Sequence, residues 1–92
     1  MKMTNTNYMI DYVKDFIEGR IERWEFDLDY SANMIEHYPK MERENPQLAE
    51  CFAWYIDHQG YEKGDNLPDD KFKMLIERRF KQFMSVFDDG IL

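Results

Sequence analysis

The chain predicts an all-α fold, a small antiparallel four-helix bundle, and three observations predict it. Apolar residues recur at three- and four-residue steps in four stretches, no stretch sustains the alternation of a strand, and the stretches are separated by Gly, Pro or Asn. Ninety-two residues with 43% hydrophobic and 16% aromatic content suffice for one domain, residues 1–92, with a modest core. Charged residues at 34% and only 4 glycines suit a helix-rich surface and argue against disorder.

The first helix is expected to start near Asn5 to Asn7, where Thr and Asn offer caps, and to run to Glu18 with Gly19 as its stop. Tyr8, Met9, Tyr12, Val13, Phe16 and Ile17 form its apolar face. A second helix is expected from Arg23 to His37, ending there because Pro39 disfavours a helical conformation at Tyr38. It carries two apolar stripes: Trp24, Leu28, Ala32 and Ile35 on one side, and Phe26, Tyr30 and Met34 about 200° away. A helix apolar on two sides is either central in a bundle or keeps one side for a partner.

Residues 39–44 are charged, short of apolar anchors, and read as an irregular link. Asn45 then caps a third helix, with Pro46 at the first helical position, where its missing N–H is not needed. Leu48, Cys51, Phe52, Tyr55 and Ile56 form its stripe, Gly60 its stop, and Tyr61 to Leu67 a surface loop. Pro68 opens the fourth helix, Asp69 and Asp70 complement its dipole, and Phe72, Leu75, Ile76, Phe80, Phe83, Met84 and Phe87 line its core side. Asp88, Asp89 and Gly90 end it.

Charge narrows the function. Lys and Arg number 12 and Asp and Glu 19, a net charge of −7. Residues 11–66 hold 14 of those acids against 6 bases, whereas Lys71, Lys73, Arg78, Arg79 and Lys81 concentrate positive charge near the end. A field of this sign repels nucleic acid backbones and anionic membrane surfaces and attracts basic proteins. The basic residues of the fourth helix are diluted by Glu77 and two leading Asp residues, so they are expected to pair with acidic neighbours across the bundle.

Chemistry-bearing constellations are missing from the pattern. Three residues before His37 and His58 stand Met34 and Tyr55, so the Glu-x-x-His of a bundle metal site does not occur, and Cys51 has no zinc spacing with either histidine. Cys51 is expected in the core, Ser31 and Ser85 within helices, and no glycine-rich phosphate loop occurs. No enzyme activity, metal or cofactor is therefore expected. With one Cys no disulfide forms within the chain, and neither a membrane span nor a secretory segment is read, so the expected compartment is the cytoplasm.

What is left is a protein-binding surface. Trp54 lies off the third helix's stripe, near Asp57, His58, Tyr61, Glu62 and Asp65, and Glu25, Asp27 and Asp29 lie between the stripes of the second helix. Rings supply contact area at low entropic cost and carboxylates select a basic partner. The two groups form one acidic face if the second and third helices lie side by side.

The stretch IDYVKDFIEGRIERWEF, Ile10 to Phe26, resembles the start of the colicin D immunity protein family and of similar helical immunity proteins of contact-dependent growth inhibition systems. LAECFAWYID and LPDDKFKMLIERRF, Leu48 to Asp57 and Leu67 to Phe80, look like that family's third and fourth helices. The resemblance covers most of the chain through packing patterns. It implies a small helical bundle that binds and blocks the catalytic domain of a cognate bacterial nuclease toxin, in the colicin D case by covering a basic site that would engage tRNA. It carries over no specific contact. The alternative is a small acidic adaptor or regulatory protein that holds an unrelated partner through Phe26, Tyr30 and Met34.

Overall fold

The computed structural model describes residues 3–89. The fold is all-α, as expected, with helices α1 (Thr4–Ile17), α2 (Arg23–Glu44), α3 (Pro46–Phe52), a π-helical continuation of α3 (Ala53–Glu62) and α4 (Asp69–Asp89). No strand occurs among the described residues. The chain falls into two compact units, Met1–Ala49 and Glu50–Leu92.

In the first unit α1 and α2 run antiparallel, since residues late in α1 meet residues early in α2. Phe16 stacks on Phe26 with ring centroids 4.5 Å apart, whereas Tyr8 stacks on His37 at 4.1 Å. Met9, Ile10, Val13 and Phe16 of α1 are buried with Phe26, Tyr30 and Met41 of α2. The Tyr12 hydroxyl donates to the Phe26 carbonyl at 2.6 Å, so a ring that packs on the core also satisfies its polar end.

α1 ends as its sequence predicts. Gly19 takes φ 83°, a left-handed conformation that costs glycine nothing, and the chain reverses there. Gly19 N–H donates to the Phe16 carbonyl at 3.2 Å and Arg20 N–H to the Asp15 carbonyl at 2.8 Å, the paired bonds of a Schellman motif. The Arg20 side chain returns to Asp15 and Glu18 and holds the turn.

α2 does not stop before Pro39. It continues to Glu44, through the segment expected to be an irregular link. A proline removes the bond to the carbonyl four residues back, here Ile35, and both Pro39 and Ile35 lie on the water-facing side, where solvent replaces the lost donor. Beyond Pro39, Met41 is fully buried and Glu44 is hydrogen-bonded to the start of α1. These long-range contacts outweigh the local preference of the residue before proline.

In the second unit the π-helical segment and α4 are likewise antiparallel. Phe52 meets Phe83 edge-on at 5.3 Å and Tyr61 meets Phe72 at 6.0 Å. Phe52, Ile56, Phe72, Ile76 and Phe83 are buried, as their stripes predict. Asn45 caps α3 by accepting from Leu48 N–H at 3.1 Å, and Pro46 opens it. Pro68 precedes α4, its carbonyl accepting from Phe72 N–H at 2.8 Å. Gly90, expected to help end α4, lies outside the described residues.

Gly60 is not a helix stop. It lies buried within the π-helical segment, and Tyr61 and Glu62, expected in a loop, are helical too. The reason is tertiary: a Cβ on Gly60 would stand 3.1 Å from Ile76 Cδ1, and one on Gly64 would stand 2.7 Å from Phe72 Cδ1. Both glycines let the helix backbone approach α4 closely.

Candidate protein-binding surface

The residues singled out from the sequence divide between the two units: Glu25, Asp27 and Asp29 in one, Trp54, Asp57, His58, Tyr61, Glu62 and Asp65 in the other. In the first unit, Glu25 is occupied locally. With Glu22 at the N-cap it forms a reciprocal capping box, Glu22 N–H donating to Glu25 Oε1 at 3.2 Å. Its first task is to start α2. Asp27 is exposed and sits 3.5 Å from Arg23 Nε, and Asp29 is exposed as well.

The second apolar stripe of α2 is the feature that sequence reasoning misplaced. Phe26 and Tyr30, read as a partner-binding side in the adaptor alternative, are buried against α1, and Met34 is half-buried. The opposite side faces water instead: Trp24 is 63%, Leu28 71% and Ile35 77% exposed. The indole Nε1 of Trp24 donates to Glu22 Oε2 at 2.9 Å, which fixes the ring beside a carboxylate. The signal was present in the two-sided pattern, but periodicity alone does not say which side another helix will cover.

In the second unit Trp54 is 54% exposed and lies one turn before His58. His58 Nδ1 is 3.2 Å from Glu62 Oε1 and 3.9 Å from Asp57 Oδ2. A π-helix has about 4.4 residues per turn, so positions five apart share a face that an α-helix would split. That wider turn brings Asp57 and Glu62 to the same imidazole. The three side chains place one ligand atom each within 4.8 Å of one another, a donor set that can hold a divalent cation, although the search for Glu-x-x-His could not find this spacing. His58 and Glu62 are exposed, Asp57 is half-buried, and carboxylates so placed also serve as plain surface charge.

Tyr61 turns the other way, half-buried and edge-on to Phe72, so its ring braces α4. Asp65 is exposed just beyond the helix end, its N–H reaching the Glu62 carbonyl at 3.4 Å. Of the basic residues on α4, Lys81 lies 3.5 Å from Glu77, and Arg79 donates to the Gln59 carbonyl at 3.4 Å and to Gln82 Oε1 at 2.9 Å. The acid that Lys81 meets thus lies on α4 itself, not across the bundle as expected. No helix among the described residues is long and apolar enough to cross a membrane.

Comparisons with protein-family models, with curated proteins and with solved structures return no significant match, so a functional reading rests on the chain's own residues.

Proposed function

We propose that this chain is an immunity protein, a cytoplasmic inhibitor that binds the basic catalytic domain of a cognate bacterial nuclease toxin, an RNase or tRNase, and blocks it through an acidic, aromatic surface. The observation that carries the reading is the placement of the two tryptophans. Trp24 and Trp54 are both more than half exposed; Trp24 donates to Glu22 and precedes Asp27 by three residues on α2, and Trp54 precedes Asp57 by three residues on its own helix. Tryptophan is costly to leave in water and is enriched where protein interfaces concentrate their binding energy. Carboxylates around such anchors favour a partner rich in Lys and Arg, as a nuclease site must be to hold a phosphate backbone. The net charge of −7 extends the same preference to long range, where it speeds encounter with a basic domain.

The resemblance to helical immunity proteins supplies the specific class and agrees in sign with this surface. Of the side on which the adaptor alternative depended, Phe26 and Tyr30 are buried and Met34 is half-buried.

The test is biochemical. The gene should lie directly after a large toxin gene, and the chain, mixed with that toxin's purified C-terminal nuclease domain, should protect RNA from cleavage at near-equimolar ratio. Neutralising Asp57, Glu62 and Asp65 together, as Asp57→Asn, Glu62→Gln and Asp65→Asn, should weaken inhibition, and the loss should shrink as salt rises and screens the charges. Full cleavage in the presence of excess chain would remove the proposal, and undiminished inhibition by the triple variant would remove these three residues from it.

A further inference from the structure

The water-facing side of α2 is a continuous anchor row. Trp24, Leu28 and Ile35 fall within about 40° of one another around the helix and span roughly 16 Å along it. Between and beyond them stand Ser31, Ala32 and Pro39, all exposed, so no long polar side chain covers the row. Three large apolar side chains at 63–77% exposure on one helix face form the kind of patch that marks a protein contact. The row is also ordered in advance, since Glu22 holds the Trp24 indole at 2.9 Å and α1 clamps the opposite side of the same helix.

Charge selects the occupant. Asp27 flanks the row on one side, Asp29 and Glu36 flank it on the other, and all three are exposed. A second copy of this chain, packed through the same face about a two-fold axis, would set rows of carboxylates against each other, and like charges so placed disfavour association. A groove with an apolar floor and Lys or Arg rims meets both requirements. We infer that α2 docks as a helix in such a groove on the basic partner, with Trp24, Leu28 and Ile35 as anchors and Asp27, Asp29 and Glu36 on the rims. This rests on the reading of the partner as a basic nuclease domain, and adds a contact face on α2 to the residues already named there.

The test uses the full chain and the purified nuclease domain of the toxin whose gene is expected next to its own, with dissociation constants measured by calorimetry. The double variant Leu28→Ser/Ile35→Ser should bind roughly 100-fold more weakly, and Trp24→Ala alone at least about tenfold more weakly. Both changes are at exposed positions, and an unchanged midpoint of thermal unfolding would show that the fold is intact. Asp29→Asn/Glu36→Gln should slow association at low salt and have little effect at high salt. Tight binding and full inhibition by the double variant would overturn the docking face while leaving the nuclease reading in place. Failure of the unaltered chain to bind the domain would overturn both. Sedimentation of the unaltered chain as a dimer that Ile35→Ser converts to monomer would replace the basic partner with a second copy.

Discussion

Glu44, on the last turn of α2, caps the first turn of α1 through Thr6. The Thr6 hydroxyl donates to Glu44 Oε1 at 2.8 Å and the Thr6 N–H to the same oxygen at 2.9 Å. Glu44 Oε2 accepts from the Asn5 N–H and from Asn5 Nδ2, both at 2.8 Å. The opening N–H groups of a helix have no partner within it, and a carboxylate there meets both the free donors and the positive end of the dipole. The first residues of α1 hold no carboxylate, so the other helix supplies one. His37 Nδ1, 2.8 Å from Asn5 Oδ1, completes the knot.

Replacing Glu44 by Ala should therefore destabilise the fold by about 2–3 kcal/mol, since it strands two backbone donors and the buried Thr6 hydroxyl. Urea unfolding measures this directly. Because both changes break one network, Glu44→Ala combined with Thr6→Val should cost less than the sum of the two alone.

The same carboxylate makes stability depend on pH. Burial by itself raises its affinity for a proton, but hydrogen bonds from the backbone and side chains of Asn5 and Thr6 outweigh it and lower the carboxyl from 4.5 to about 2. A folded value below the unfolded one means that the charged group stabilises the fold above about pH 4.5 and that this contribution is lost as pH falls toward 2. Unfolding free energies measured between these limits should fall more steeply for the unaltered chain than for Glu44→Gln.

Gly64→Ala should lower stability by about 1–3 kcal/mol even though alanine is the better helix former. The added methyl would meet the Phe72 ring at 2.7 Å, and that ring is buried. Gly60→Ala should cost less, because the atoms nearest its added methyl, Ile76 Cδ1 and the Tyr55 carbonyl oxygen, both stand at 3.1 Å and need give only a few tenths of an ångström. Thermal unfolding of the two variants should rank them in this order, and a stabilised Gly64→Ala would show that the close approach to α4 is not needed.

Pro39→Ala should stabilise the protein by about 1–3 kcal/mol, restoring a donor toward the Ile35 carbonyl inside α2. The unfolded chain gains freedom from the same change, which subtracts up to about 1 kcal/mol. Amide exchange at residue 39 should then show protection typical of a helix interior.

Much of this architecture is legible locally. Most of the α1 and α4 stripes, the Asn45 cap with Pro46, and the Gly19 turn depend on residues within one or two helical turns and are found where periodicity and capping chemistry place them; Tyr8, read on the α1 stripe, is instead 46% exposed. Trp54 and the acids were singled out from the sequence, whereas the exposed Trp24, Leu28 and Ile35 were visible only as one of two equivalent stripes.

Three matters belonged to tertiary contact. Which side of α2 is buried is settled by Phe16 and Tyr12 of α1, which stack on Phe26 and leave Trp24 in water. Whether a helix survives a proline is settled by Met41 and Glu44, whose partners lie more than thirty residues away in the chain for the glutamate's four hydrogen bonds. Whether Gly60 ends a helix or admits a neighbour is settled by Ile76. In each case a local preference of about 1–3 kcal/mol met burial or hydrogen bonding of equal or greater size from a distant segment, and only the folded chain brings the two together.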